Sequence, residues 1–240
     1  MKLKFGNAFT LAEVLITLGI IGVVAALTMP SLIQNHKKHV VETRLKKFYS
    51  VMNQAVLMAK NDYGDFENWD YWTTDKKDED GKYILQQDAM RHSIEKYFMP
   101  YMKIDIRKID LYGDYEGETA YMYFLPDGSA FAPIIFENRE FNYYPANPEK
   151  CLKRGANGED ISGSCEFLFG FWPTNNSPVN KYQYKKGVMP YLHRWDGKIE
   201  LLYSGAEELR SCEDRGDYCA GLIYYNGWKI PKNYPKKINY

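Results

Sequence analysis

Residues 9–33 read FTLAEVLITLGIIGVVAALTMPSLI and form the most apolar part of a chain of 240 residues. The run is long enough to span a bilayer, which takes about 20 residues in a helix. Lys2 and Lys4 precede it, and positive charge before a span favours a cytoplasmic N-terminus. The basic cluster at 36–39 follows the run and weakens that bias. The sequence therefore predicts one membrane-spanning helix near the N-terminus.

Two ordinary explanations exist for such a segment. A secretory signal would be cut after its apolar part, where Ala25 and Ala26 offer small residues. A plain membrane anchor would not be cut at all. Glu13 argues against both, because a carboxylate inside an apolar span is costly and points to a functional partner.

The segment 9–30 closely resembles the N-terminus of type IV prepilins and type II secretion pseudopilins. The shared features are an aromatic first residue, a glutamate four positions later, small residues and a proline: Phe9, Glu13, Gly19, Gly22, Ala25, Ala26 and Pro30. The resemblance implies cleavage between Ala8 and Phe9 by a prepilin peptidase, followed by N-methylation of Phe9. Ala8 stands where the family usually has glycine, whereas a cut after Gly6 would put Glu13 out of register.

Assembly into a filament gives Glu13 a chemical task. A new α-amino group at Phe9 is a cation at neutral pH, and leaving it buried and unpaired costs several kcal/mol. We therefore expect Glu13 of a neighbouring subunit to neutralise it. Gly19 and Gly22 allow close helix approach, and Pro30 removes a backbone hydrogen bond, so the resemblance implies bending or melting there on assembly.

The helix is predicted to continue past Pro30 to about Lys60. Apolar residues recur along one helical face: Val41, Leu45, Phe48, Met52, Ala55 and Ala59. The pattern is too short for a free coiled coil. This face is therefore expected to pack on a globular head.

Three turn signatures predict hairpins, and hence an antiparallel sheet, in that head. Each pairs two apolar runs around a short polar turn: Thr119–Phe124 with Ser129–Phe136 around Pro126-Asp127-Gly128, Val188–Arg194 with Lys198–Tyr203 around Asp196-Gly197, and Leu222–Tyr225 with Trp228–Ile230 around Asn226-Gly227. A short helix is predicted within Ile84–Tyr101, stopped by Pro100. Residues 137–187 are interpreted as a long insertion rich in Asn, Pro and Gly.

Four cysteines lie in the C-terminal half: Cys151, Cys165, Cys212 and Cys219. Their even number and close spacing predict two disulfides between sequence neighbours, formed in an oxidising compartment. A zinc site and free thiols are the alternatives. Neither pair has CxxC spacing, and no histidine clusters with them in sequence.

Other functional classes find little support. The chain has 31 basic and 31 acidic residues, so no nucleic-acid partner is expected. The acidic stretch Asp75–Asp80 lacks EF-hand spacing, so we expect no cofactor, with calcium there as the alternative. Arg215-Gly216-Asp217 is an adhesion tripeptide that recurs by chance. No catalytic set, phosphate loop or metal motif stands out, so the protein is not expected to be an enzyme.

Together these features predict an α+β, pilin-like protein with a long N-terminal helix packed on an antiparallel β-sheet head. The predicted divisions are a leader peptide, a transmembrane and filament-core helix, an amphipathic helix and a head with disulfide-stapled loops: 1–8, 9–33, 34–62 and 63–240. The resemblance implies a structural subunit, a minor pilin or pseudopilin, of a type IV pilus or type II secretion filament. A filament-tip binding module, for adhesion or DNA uptake, is the alternative.

The resemblance also implies partners and a location. The partners are the prepilin peptidase, other pilin or pseudopilin subunits, an inner-membrane assembly platform and membrane lipid. The location is the bacterial inner membrane, crossed once, with the N-terminus cytoplasmic and the head periplasmic. After assembly the protein would lie in a filament or on the cell surface.

Overall fold

A computed structural model describes residues 10–70, 86–110, 119–133, 140–173 and 177–240. The helices are α1 (Leu11–Tyr63), α2 (Gln86–Tyr97), α3 (Pro148–Ala156), α4 (Glu200–Tyr203) and α5 (Cys219–Tyr225). The strands are β1 (Asp105–Asp110), β2 (Thr119–Phe124), β3 (Ala130–Pro133), β4 (Glu140–Tyr144), β5 (Phe167–Phe171) and β6 (Val188–Pro190). The chain is thus α+β, and it divides into two units, Met1–His39 and Val40–Tyr240.

In the first unit, helix α1 exposes its apolar side chains. From Leu11 to Ile33 every large aliphatic residue is exposed, with Leu11 at 77% and Leu27 at 76%. Pro30 lies inside the helix. By length and composition α1 is able to cross a membrane.

In the second unit, the later part of α1 packs on an antiparallel sheet of six strands. The predicted apolar face is confirmed, because all six of its residues are buried: Val41, Leu45, Phe48, Met52, Ala55 and Ala59. Phe48 lies at the centre of this contact. Its ring stacks on Tyr143 with centroids 4.1 Å apart and meets the ring of Phe169 edge-on at 5.0 Å.

The sheet has the order β1-β2-β3-β4-β5-β6, and each neighbouring pair is antiparallel. Side chains alternate between its two faces. On β4, Phe141 and Tyr143 pack against α1, whereas Tyr144 joins a second buried cluster with Met122 and the Cys151–Cys165 pair. The sheet is therefore covered on both faces.

Polar side chains of α1 fix the helix to the sheet. Asn53 accepts a hydrogen bond from the Val188 N–H at 3.0 Å and donates one to the Val188 carbonyl at 2.8 Å. It thereby satisfies a residue of edge strand β6. Arg44 donates to the carbonyl oxygens of Pro145 and Asp127. These contacts bind α1 to both β6 and the turn after β2.

The first predicted hairpin is confirmed within the described residues. Strands β2 and β3 pair antiparallel, with Tyr123 opposite Phe131. The turn closes through a hydrogen bond from the Leu125 N–H to the Ser129 carbonyl at 2.8 Å. Gly128 has φ +77°, which glycine adopts without strain.

The third predicted hairpin is wrong, because Leu222–Tyr225 belongs to helix α5. The Gly227 N–H bonds the Tyr224 carbonyl at 3.0 Å, and the Trp228 N–H bonds the Ile223 carbonyl at 2.8 Å. This is a Schellman motif with glycine just past the helix end. Asn-Gly therefore ends a helix here, although the same dipeptide also favours a hairpin turn.

The second predicted hairpin, Val188–Arg194 with Lys198–Tyr203, is also wrong. Strand β6 ends at Pro190, and Glu200–Tyr203 is helix α4. The Asp196 side chain accepts a hydrogen bond from the Lys198 N–H at 2.9 Å. Such a local bond forms an Asx turn, which here leads into a helix instead of a returning strand.

The interpretation of residues 137–187 as a long insertion is likewise wrong. Strands β4 and β5 are interior strands of the sheet, and helix α3 lies between them in sequence. Both strands are short and rich in Phe and Tyr, which favour strands, but the segments around them are rich in Asn, Pro and Gly. The predicted short helix at Ile84–Tyr101 is present as α2, ending at Tyr97 before Pro100.

Candidate functional site

The N-terminal end of α1 is closed by reciprocal hydrogen bonds between Thr10 and Glu13. The Thr10 N–H and hydroxyl each donate to Glu13 Oε2 at 2.8 Å, and the Glu13 N–H donates to Thr10 Oγ1 at 3.2 Å. This arrangement is a capping box, with the signature T-x-x-E. Sequence reasoning missed Thr10, although the signature was there to be found. Glu13 thus stabilises the start of its own helix.

Gly19 and Gly22 have no packing reason to be glycine within the described chain. A Cβ atom added to either would meet nothing within 4 Å. Glycine in a helix is less favourable than alanine by about 1 kcal/mol. Pro30 is helical on both sides, so the predicted bending or melting on assembly stays a prediction.

Several predicted positions lie outside the described residues. These are the cleavage position Ala8, the cleavage and methylation position Phe9, and the acidic stretch Asp75–Asp80 considered for calcium. In the ranges that the structure describes, no group of three or more His, Cys, Asp or Glu side chains is placed to hold a metal ion.

The four cysteines form two disulfides between sequence neighbours. Cys151 pairs with Cys165, with Cα atoms 5.9 Å apart, and Cys212 pairs with Cys219 at 4.5 Å. The first bond joins α3 to the segment before β5. The second joins a loop to the first turn of α5. The prediction of two local disulfides is confirmed, and the zinc alternative is excluded for these residues.

A polar cavity of about 310 Å³ lies over β4 and β5, on the sheet face opposite α1. Glu140, Asn142 and Leu168 form its floor. They alternate along their strands with the aromatic residues that pack on α1. The remaining walls come from residues 162–166 and 210–217, together with Tyr191.

Glu166 is a carboxyl group of this cavity whose pKa is raised. It accepts hydrogen bonds from the Tyr144 hydroxyl at 2.7 Å and from the Ser162 hydroxyl at 3.3 Å. Burial raises the pKa of Glu166, the charges of Asp160 and Asp217 add to this, and the two hydroxyl donors partly oppose it. Within the described residues no cation lies within 4 Å of Glu166.

A network of arginines and carboxylates forms the part of the cavity lined by residues 210–217. Arg210 donates to the Tyr191 hydroxyl and to Glu208, and its Nη1 lies 3.4 Å from Asp217 Oδ2. Arg215 Nη2 approaches the same Asp217 oxygen at 3.5 Å. Burial raises the pKa of Asp217, while Arg215 and Arg210 oppose that rise. The cavity therefore contains an arginine–carboxylate network in addition to the carboxyl group of Glu166.

The tripeptide Arg215-Gly216-Asp217 belongs to this wall. Only 10% of the Asp217 side chain is exposed. Gly216 has φ +82°, and a Cβ atom there would lie 2.7 Å from the Cβ of Ser162. The backbone at Gly216 thus lies too close to Ser162 to leave room for a side chain. The Asp217 side chain is not accessible enough for the tripeptide to act as an adhesion motif.

His193 is a packing residue. Its ring lies nearly parallel to that of Trp172, with centroids 5.5 Å apart, and its Nδ1 lies 2.7 Å from Asn180 Oδ1. Burial lowers the pKa of His193, and the charges of Arg210 and Arg194 lower it further. The imidazole is therefore held neutral near physiological pH.

Comparison with known protein families identifies the family to which the chain belongs. The model of a family of unknown function (DUF6613) matches residues 31–238. The chain belongs to this family. The match begins directly after Pro30 and includes the whole sheet, both disulfides and the polar cavity. Neither the curated proteins nor the solved structures include a match to the chain.

Sequence reasoning did not find the cavity residues of this family member. Glu166 and Arg210 occur in no local motif, and they come together only through folding of separate segments. The one available signal was the tripeptide at 215–217, which suggested adhesion instead of a cavity wall.

Proposed function

We propose that this protein is a pilin-like filament subunit, a minor pilin or pseudopilin. The observation that carries the proposal is the contrast along α1. The helix exposes every large aliphatic side chain from Leu11 to Ile33, yet buries the face from Val41 to Ala59 against its own sheet. An exposed apolar helix of this length needs a lipid or protein environment. A membrane supplies it before assembly and neighbouring helices supply it afterwards.

Maturation follows from the prepilin-like residues at the start of the chain. A prepilin peptidase would cut between Ala8 and Phe9 on the cytoplasmic side, and N-methylation of Phe9 would follow. The chain would then hold its N-terminus in the cytoplasm and its head in the periplasm of a bacterial inner membrane. The two disulfides suit that oxidising compartment.

Glu13 then has two competing partners. In its own helix it completes a capping box with Thr10, through hydrogen bonds that are exposed to solvent. In a filament it meets the α-amino group of a neighbouring Phe9, whose burial without a partner costs several kcal/mol. Because leaving that amine unpaired costs more than opening the cap, assembly draws the carboxylate towards the neighbour.

The small residues support the same assembly. Gly19 and Gly22 lower helix stability and meet open space within the described chain. Close approach of a second helix gives them a use, because small residues let helix backbones pack tightly in a membrane.

A matched pair of variants tests the proposal. Glu13→Gln removes the charge but keeps a capping-box side chain, since glutamine also fills the N3 position. Thr10→Ala removes the cap and keeps the charge. We expect both proteins at parental levels in the membrane. Glu13→Gln should be absent from sheared filaments, and Thr10→Ala should be incorporated.

The reverse pattern would overturn this assignment. If Glu13→Gln enters filaments normally while Thr10→Ala does not, Glu13 acts only as a helix cap. Immunoblots of the sheared fraction, normalised to the membrane fraction, distinguish the two results.

A further inference from the structure

The cavity over β4 and β5 has the size of a small-molecule site and a lining that is mostly polar and charged. Its volume of about 310 Å³ holds roughly ten water molecules, and it lies at the lower end of the range for ligand pockets. Leu168 is the one aliphatic side chain among the described residues that line it. A long apolar ligand would find little to pack against, so the ligand must be small and polar.

Arg215 is a cationic residue in the lining of this cavity, and its guanidinium has five N–H donors. Arg215 Nη2 lies 3.5 Å from Asp217 Oδ2, and 58% of the Arg215 side chain is exposed, so part of the guanidinium is accessible from the cavity. In the described residues no other carboxylate lies within ion-pair distance of this guanidinium. Its planar fork is suited to bidentate binding of a carboxylate.

Glu166 also lines this cavity, and no basic side chain of the described residues lies within ion-pair distance of its carboxyl group. Glu166 has only the hydroxyl donors of Tyr144 and Ser162 among its described hydrogen-bond partners. Charged groups withdrawn from water in proteins are usually paired with an opposite charge. An ammonium group in the cavity would supply that partner.

We propose that this cavity binds a small zwitterion, a free α-amino acid with a short side chain. Its carboxylate would pair with Arg215, and its ammonium group would pair with Glu166. Asn142 and Tyr191 supply neutral polar groups on the remaining walls. Gly216 holds the Arg215 segment against Ser162, which keeps the two charged positions in one cavity.

The site does not depend on the proposed filament function. All its lining residues lie beyond residue 139, far in sequence from the assembly residues of α1. A filament subunit with this site would sense or carry an amino acid through its head. Loss of binding and loss of filament incorporation are therefore separable results.

Calorimetric titration of the full chain in detergent micelles tests the proposal. The probes are glycine, L-alanine and L-serine, with N-acetylglycine and glycinamide as analogues that lack one charge each. We expect saturable binding of at least one amino acid and at least tenfold weaker binding of both analogues. The proposal is overturned by an absence of saturable binding for all three amino acids, or by equal binding of either analogue.

Two variants and two matched controls locate the site. Arg215→Gln and Glu166→Gln should each weaken binding at least tenfold. Arg107→Gln and Glu200→Gln change the same residue types at exposed positions outside the cavity and should bind like the parent. A melting curve for each protein separates lost binding from unfolding. Both cavity variants should still be incorporated into filaments like the parent. If both also bind the amino acid with parental affinity, the assignment of the site is contradicted.

Discussion

Glu166 keeps a carboxyl group in a half-buried site under the electrostatic influence of Asp160 and Asp217, and this arrangement has a cost at neutral pH. Burial, with the charges of Asp160 and Asp217, raises its pKa above the ordinary value of 4.5. The folded state therefore binds the proton more tightly than the unfolded state does. The contribution of this group to stability is complete below pH 4.5 and is lost as pH rises through the folded pKa.

Glu166→Gln should consequently make the free protein more stable at neutral pH. Glutamine carries no charge at any pH, so the variant avoids the cost of ionising a carboxyl group that is partly withdrawn from water. Its advantage in free energy of unfolding should shrink as the pH is lowered towards 4.5. Urea unfolding of parent and variant at a series of pH values measures this difference. A difference that stays constant, or grows on acidification, would contradict the account.

Residues differ in how far the sequence reveals them. Glu13 stands out from the printed chain because a charge in an apolar run is rare, and its local partner Thr10 is visible three positions away. Glu166 and Arg210 give no such signal. Their pKa shifts and contacts arise from tertiary folding, which joins strands and loops that are distant in sequence.

Among the elements, α1 combines two surfaces in one helix. Its first part carries apolar residues on all sides, and its later part carries a single apolar face. The 3.6-residue period made that face predictable, because each turn returns the same side to the sheet. The aromatic cluster beneath it was less predictable, because β4 and β5 were hidden among turn-forming residues.

Phe48→Ala should destabilise the head more than any exposed change on the same helix. The Phe48 side chain is fully buried, and its ring contacts Phe131, Tyr143 and Phe169. Removing such a ring leaves a cavity and typically costs about 3–5 kcal/mol. Urea unfolding of the solubilised chain, followed by tryptophan fluorescence, measures the loss.

Leu57→Ala is the matched control on α1, because 69% of Leu57 is exposed. Its effect should stay within about 0.5 kcal/mol. Equal losses for the two variants would mean that α1 is not held to the sheet through its predicted face.

Turn chemistry explains the errors at the level of elements. Asn-Gly and Asp-Gly favour backbone with positive φ, and both hairpin turns and helix ends need it. At Pro126-Asp127-Gly128 the flanking runs formed strands, whereas at Asn226-Gly227 the preceding run formed a helix. Local sequence specifies the turn residue, and the tertiary partners decide which element precedes it.

At the scale of the whole molecule, the two units support different conclusions: the second unit supports the fold, and the first unit supports the proposed function. The family match covers residues 31–238 and leaves the apolar segment before Pro30 outside it. The fold of the second unit is defined by the strand pairing of its sheet, by the packing of α1 on that sheet and by two disulfides. The proposed filament function rests on the first unit, through its exposed apolar helix and its resemblance to prepilins.

The most direct test of that function is the intact mass and N-terminal sequence of the protein extracted from bacterial membranes. We predict a mature chain that begins at N-methylated Phe9. The unreduced mass should also be lower by four hydrogens than that of the reduced chain, because two disulfides are formed. A chain that retains Met1, or one that begins after Ala26, would contradict the account.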